Sequence, residues 1–224
     1  MTTRFYLPSS GAVPITPSFA AAWDDETIGI RCPTSTSKIN SAMVSKSFGD
    51  NNDLDRSIVF AQYISPSLDG AQTVTGDVGF VIRASEGGTS FNMLTAITIR
   101  VLSNDGTSVT GTPLALTRDD TEMDTSLESR HFFATLTEVN TNDGDRVVIE
   151  IGTAGNPNLN GDHDSTLSIG DNAVNDLTAS DTDVGVDNPW VEFNDINLVF
   201  QQDIGIDTLI NINDSFTSIV NPVS

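Results

Sequence analysis

One cysteine in 224 residues is the first scarcity of this chain. Cys32 has no partner for an internal disulfide, so the fold is not built around oxidation. It sits in IRCPT with no histidine near it in sequence, and reads as a buried structural thiol. Histidine is nearly as rare. His131 and His163 are the only two, which leaves few groups that titrate near neutrality. No G-x-S-x-G elbow, phosphate-binding loop, dinucleotide fingerprint or zinc spacing occurs. Long hydrophobic runs are missing too: nothing approaches the ~18 apolar residues of a membrane span. The start, MTTRFYLPSSGAVP, lacks an apolar run of signal-peptide length. The expectation is synthesis in the cytoplasm, without secretion and without a membrane partner.

Positive charge is the other shortage. Ten Lys and Arg face 31 Asp and Glu, for a net charge of −21. Such a surface repels nucleic-acid phosphates and anionic lipid, which excludes direct nucleic-acid binding. Mass scaling gives about 9,900 Å² for the folded monomer, out of about 34,700 Å² extended. Evenly spread, the excess charges then lie ~20 Å apart, beyond the ~8 Å Debye length at physiological salt. A sizeable core forms at this length without a disulfide or metal.

What is abundant sets the fold class. There are 24 Asp against 7 Glu, with 18 Asn and 26 Thr. Asp and Asn favour turns, Thr favours strands, and none of them builds helix interiors. The chain is predicted to be all-β, an antiparallel two-sheet sandwich of jelly-roll type. Residues 1–30 read as an extended N-terminal arm, 31–203 as the sandwich, and 204–224 as a C-terminal strand or arm. In the first segment Pro8, Pro14 and Pro17 fix the backbone. Phe5, Tyr6, Leu7, Ile15, Phe19 and Trp23 are anchors that must lie on the sandwich or on a neighbour. FAAAW has the composition of one helical turn. Strands are expected at 39–48, 56–65, 72–85, 95–103, 111–117, 131–139, 147–151, 165–170 and 189–201, with an Asp-Gly turn in 103–109. In the second long strand Val74, Gly76, Val78, Phe80, Ile82 and Ala84 share one face.

Chemistry has few candidates. NTNDGD at 140–145 feeds the alternating Val147, Ile149 and Ile151, so its acids read as a hydrated turn, neither a catalyst nor a metal loop. NPNLNGDHD at 156–164 spaces Asn156, Asn158, Asn160, Gly161, Asp162 and Asp164 like a calcium loop. However, the first ligand is Asn and the closing position is Leu167, so calcium is the minor reading and a surface loop the main one. Glu150 and Glu192 sit on the two best strands and could in principle share a face as a glycosidase pair, yet each is simply the polar partner of an alternating strand. His163, in its acidic loop, is expected to be exposed, with a raised pKa. Phe60, Phe80, Phe132, Phe133, Trp190 and Phe193 read as core or interface packing, with sugar stacking by Trp190 as the lesser alternative. No catalytic, cofactor or metal residue is predicted, and the chain reads as not an enzyme.

Several stretches taken in order resemble tailed-bacteriophage virion proteins. They are TRFYLPSSGAVPITPSFAAAWDD, AQYISPSL at 61–68, GDRVVIEIG at 144–152, SIGDNAVNDL at 168–177 and NPWVEF at 188–193. The resemblance covers residues 2 to about 200, and 204–224 lie outside it. It implies a small jelly-roll or carbohydrate-module-like structural component of a head or tail, and it brings no catalytic residues. The expected function is a capsid-exterior decoration or cement protein in the virion. Its expected partners are the major capsid protein or other virion proteins, and a homo-oligomer, with a trimer as the symmetry considered. The alternative is a tail-fibre, tail-tip or head-surface module that binds host glycan.

Overall fold

The computed structural model describes residues 2–26, 29–50, 56–89, 91–155, 163–170, 172 and 174–201. The calcium-like stretch from Asn156 to Asp162 and the C-terminal 204–224 lie outside the described residues. Among the described residues there is no helix. Eleven strands form two sheets: β1 Thr3–Tyr6, β2 Ile30–Pro33, β3 Val44–Asp50, β4 Ser57–Ile64, β5 Thr73–Glu86, β6 Met93–Leu102, β7 Val109–Arg118, β8 Glu128–Asn140, β9 Arg146–Gly155, β10 His163–Ile169 and β11 Trp190–Phe193. The predicted all-β, two-sheet organisation is what the chain adopts.

One sheet, here called sheet A, is organised around the long strand β5. β8 pairs with it from Thr73 to Ala84. β11 and β10 share its other edge, opposite Val78–Val81 and Arg83–Glu86 respectively. β1 pairs outside β11, and β3 outside β10. Sheet B has the order β2-β4-β9-β6-β7, in which β2 and β4 are parallel. Four antiparallel pairs are nested: β6 with β7, β5 with β8, β4 with β9, and β3 with β10. They are successive rungs of one long hairpin whose tip is the 103–108 turn, and the rungs alternate between the sheets.

The core lies between the sheets because alternate residues of each strand point inward. β9 contributes Val147, Ile149 and Ile151, and β6 contributes Ile97, Ile99 and Val101. From sheet A come Phe5, Val78, Phe80, Ile82, Val191 and Phe193. Each such side chain stabilises the fold by roughly 1.5–3 kcal/mol when fully buried. Phe5 and Phe193 meet edge to face at 5.8 Å.

Bulges interrupt the alternation. In β4 the register shifts between Val59 and Ala61, so Phe60 and Ala61 both reach the core. In β5 it shifts between Val74 and Gly76, where Gly76 takes φ 86°, a conformation costly for other residues. Gly76 is therefore a bulge residue and not an inward-facing member of its strand. The 189–201 strand is also shorter than expected. β11 stops at Phe193, a turn with Asp195 at φ 62° follows, and the chain returns to bridge Phe200 with Leu68. β3 starts at Val44, later than the predicted 39. FAAAW makes a turn closed by Trp23 N donating to Ala20 O at 3.1 Å, without becoming helix.

Candidate functional site

The two acids offered for sugar chemistry do not meet. Glu150 on β9 points away from the core on sheet B, and Glu192 on β11 points away from it on sheet A. The whole sandwich thickness, ~10 Å between sheets, separates them, with two layers of inward side chains between. A flanking pair of carboxylates cannot form.

Glu150 has a different task from that of an exposed polar partner. It is fully buried, because residues 17–23 of the arm cross the outer face of sheet B above it. Its carboxylate accepts from Ala20 N at 3.0 Å, Trp23 Nε1 at 2.8 Å and Gln62 Nε2 at 2.9 Å, and it is ion-paired with Arg100 Nη2. Arg100 Nη2 also donates to Ser18 O at 2.7 Å. Arg31 joins from β2: its Nη2 donates to Pro17 O at 3.2 Å, its Nε to Gln62 Oε1 at 2.9 Å, and its guanidinium lies 4.5 Å from the Phe19 ring centroid. Apolar contacts complete the strap. Trp23 packs with Val59, Ala96 and Ala154, while Val13 and Ile15 pack on Ile64, Leu102 and Val148. Gly152 is required chiefly by β4, since a Cβ there would stand 1.9 Å from Ile58 O, and it would also come within 2.9 Å of Trp23 Cζ3. The sequence places Gln62 and Arg100 at outward positions of β4 and β6. Nothing local signals that the arm covers them.

On sheet A the outer face is lighter. Arg4 Nε donates to Glu192 Oε2 at 2.9 Å and Arg4 Nη1 to Asp176 Oδ2 at 2.8 Å. Lys38 Nζ lies 2.8 Å from Asp176 Oδ1. Arg4 stacks on Trp190 at 4.1 Å. Trp190 is only 5% exposed, packs with Val81 and Leu177, and donates from Nε1 to Leu177 O at 2.9 Å. The packing role expected of it holds, and its face is not free for a sugar. Phe60, Phe80 and Phe193 are buried, and Phe132 packs against the core. Phe133 departs from expectation. It is 57% exposed and lies over Gly79, with its ring 4.1 Å from that of His131. Two adjacent residues of an alternating strand cannot both face inward.

The remaining candidates are dispersed. Cys32 is buried, as expected, and desolvation pushes its thiol up to about 11, so it is inert at neutral pH. His131 is half-buried on β8. Desolvation lowers its pKa, opposed by Asp181 and Asp119. In the 140–145 turn Asp145 is buried, accepting from Asn142 N at 2.8 Å, and Asp143 accepts from Gly70 N at 2.9 Å and Gln201 Nε2 at 3.2 Å. These acids fasten loops, where the sequence suggested hydrated ones. Glu86, Glu122, Asp124 and Glu128 line an acidic hollow of about 300 Å³ beside Arg130. Burial raises the pKa of Glu86, and the nearby Glu122 carboxylate adds to the rise. Among the described residues no group of three or more His, Cys, Asp and Glu is arranged to hold a metal ion.

Charge on the surface is one-sided. Every Lys and Arg whose side chain is described is buried or half-buried, whereas Asp24, Glu26, Asp69, Asp77, Asp105 and Glu138 are among the exposed acids. Among the described residues no cation is fully exposed, and the fully exposed charges are anionic.

No protein-family model matches this chain, and no curated protein matches it. Among solved structures, a CocE/NonD family hydrolase from Staphylococcus aureus is 11% identical with TM-score 0.43, over 86% of this chain and 36% of that one. An α-amino acid ester hydrolase is 10% identical with TM-score 0.46, over 89% and 36%. The VP2 subviral particle of infectious bursal disease virus is 9% identical with TM-score 0.33, over 81% and 50%. This chain thus spans about a third of the hydrolases' length and half of the viral protein's. Likeness at this level does not extend to function.

Proposed function

We propose that this protein is a non-enzymatic virion component of a tailed bacteriophage, a decoration or cement protein on the capsid exterior. The observation that carries the non-enzymatic part is the fate of Glu150 and Glu192: they lie on opposite outer faces, each engaged by an arginine, and Glu150 is also sealed under the arm. The nested rungs β3/β10, β4/β9, β5/β8 and β6/β7, alternating between sheets, support a jelly roll, the architecture of many capsid domains. A surface whose fully exposed charges, among the described residues, are anionic supports a position away from packaged DNA. The partner in this reading is the major capsid protein or another virion protein, and the working form is a homo-oligomer.

Quantifying the protein in purified virions tests this. Many copies per particle, together with lower heat or salt resistance of particles lacking it, are the expected result. A second reading, a glycan-binding module of the head surface or tail, is favoured by the exposed Phe133 on the outer face that also carries Asp77 and Glu192. Few copies per particle, with host polysaccharide bound on an array and the binding lost in Phe133→Ala, would select that reading. Absence from virions would sink both.

A further inference from the structure

A cleft of about 600 Å³ opens at one end of sheet B. Its walls are Pro14 from the arm, Pro33 at the end of β2, Ile64 at the end of β4, and Pro66 just beyond. Ser67 and Gln201 stand at the rim, and Arg146, the first residue of β9, supplies the charge. The size is that of a small-molecule site.

Two features restrict what fits. Three of the four walls are proline, which has no N–H and a fixed φ, so the surface is rigid, apolar and without amide donors. Arg146 is half-buried and meets no carboxylate among the described residues, in a chain with 31 acids. Its Nε donates to Asn104 O and its Nη1 to Ser65 O, both at 3.1 Å. Those two bonds hold the guanidinium in one orientation, and Nη2 has no protein partner among the described residues. Nη2 is not sealed from solvent and is open to a ligand, and an oxyanion is its best complement.

We propose that the cleft is a binding site for a small aliphatic carboxylate, its oxygen on Arg146 Nη2 and its hydrocarbon along Pro14, Pro33, Ile64 and Pro66. A peptide is disfavoured because its carbonyls, laid against three prolines, would lose water without gaining main-chain N–H donors from them. The assignment stands on the cleft alone and does not depend on the virion reading.

The test is a titration of the isotope-labelled full chain, followed by amide resonances, with hexanoate and its neutral counterpart hexan-1-ol as probes. Hexanoate shifts Ser67, Arg146 and Gln201 saturably and binds about tenfold more tightly than the alcohol, the worth of one charge-assisted hydrogen bond. Arg146→Gln brings the two affinities together. Because that change also frees the Ser65 and Asn104 carbonyls, Pro14→Glu is a second variant: Pro14 is exposed, both probes lose its wall contact, and the added carboxylate weakens hexanoate several-fold more than the alcohol. Equal affinities in the unaltered protein, or no saturable shift at these residues, overturn the proposal. Contacts from residues beyond Gln201 to Pro14 or Ile64 that hexanoate leaves undisturbed overturn it as well, by assigning the cleft to the chain's own end.

Discussion

The two outer faces of the sandwich carry the same local device and use it differently. Each has a glutamate at an outward strand position joined to an arginine: Glu150 with Arg100 on sheet B, Glu192 with Arg4 on sheet A. On sheet B a segment of the arm lies over the pair, so the carboxylate is sealed from water and collects main-chain and indole donors as well. On sheet A the pair stays partly wet, with the Arg4 side chain 31% exposed and Glu192 21%. Identical chemistry is thus decisive for stability on one face and marginal on the other. The difference is made by what a distant part of the chain lays on top, since desolvation sets how much a broken ion pair costs.

The comparison can be broken at its strongest point first. Glu150→Ala leaves Arg100 and the Ala20 and Trp23 donors without their acceptor, and should cost about 3–5 kcal/mol in urea unfolding. The apolar double variant Glu150→Leu, Arg100→Met should recover most of that loss, because both charges leave the interior together. A cost below about 1 kcal/mol for the single variant would mean that the arm does not seal this face. Next, Arg4→Ala should cost about 1–2 kcal/mol, from a half-exposed ion pair and the stack on Trp190. That cost should shrink in about 1 M salt, whereas the Glu150 cost should not.

The smallest effect concerns His131. Its folded pKa is depressed by desolvation, so the unfolded chain binds the proton more readily. The stability it contributes is fully present above the unfolded pKa of about 6.5 and is lost as pH falls through the folded value. Burial raises the pKa of Glu86 and Asp119, which works in the opposite direction: they bind protons more readily folded than unfolded, and that contribution is lost as pH rises. The difference between the wild type and His131→Gln isolates the histidine. The variant should show a flatter stability profile between neutrality and about pH 5. Parallel profiles would show that His131 is not desolvated in the folded state.

The inward half of the fold was legible in the sequence. Val147, Ile149 and Ile151 and their counterparts Ile97, Ile99 and Val101 alternate strictly, and a one-sided strand has a single way to face a core. The alternation failed where an extra residue entered, at Phe60 with Ala61 and at Gly76, because a bulge leaves no compositional trace beyond a glycine. It also overextended β11, since an apolar rhythm continues through Ile196, Leu198 and Phe200 after the hydrogen-bonded ladder has ended. The outward half was not legible. Alternation marks Glu150 as pointing away from the core, but whether that side is wet depends on residues 17–23, more than a hundred positions earlier. Arg146 was likewise silent, because a lone arginine opening a strand is indistinguishable from a surface charge until the prolines around it are assembled.

The zipper between β1 and β11 has a consequence for the order of folding events. Arg4 and Glu192, 188 positions apart, are neighbours in the same ladder. Apart from the single bridge of Tyr6 to Ser35, β1 therefore finds its ladder partner only in β11, the last described strand. Phe5, wholly buried in the folded molecule, likewise meets its edge-to-face partner Phe193 only across that separation. The innermost rung, β6 with β7, spans only a short turn and closes early, while the outer rungs wait on ever larger loops. The β1–β11 ladder, with the longest sequence separation of the named strand pairs, carries the largest loop-closure cost of the fold.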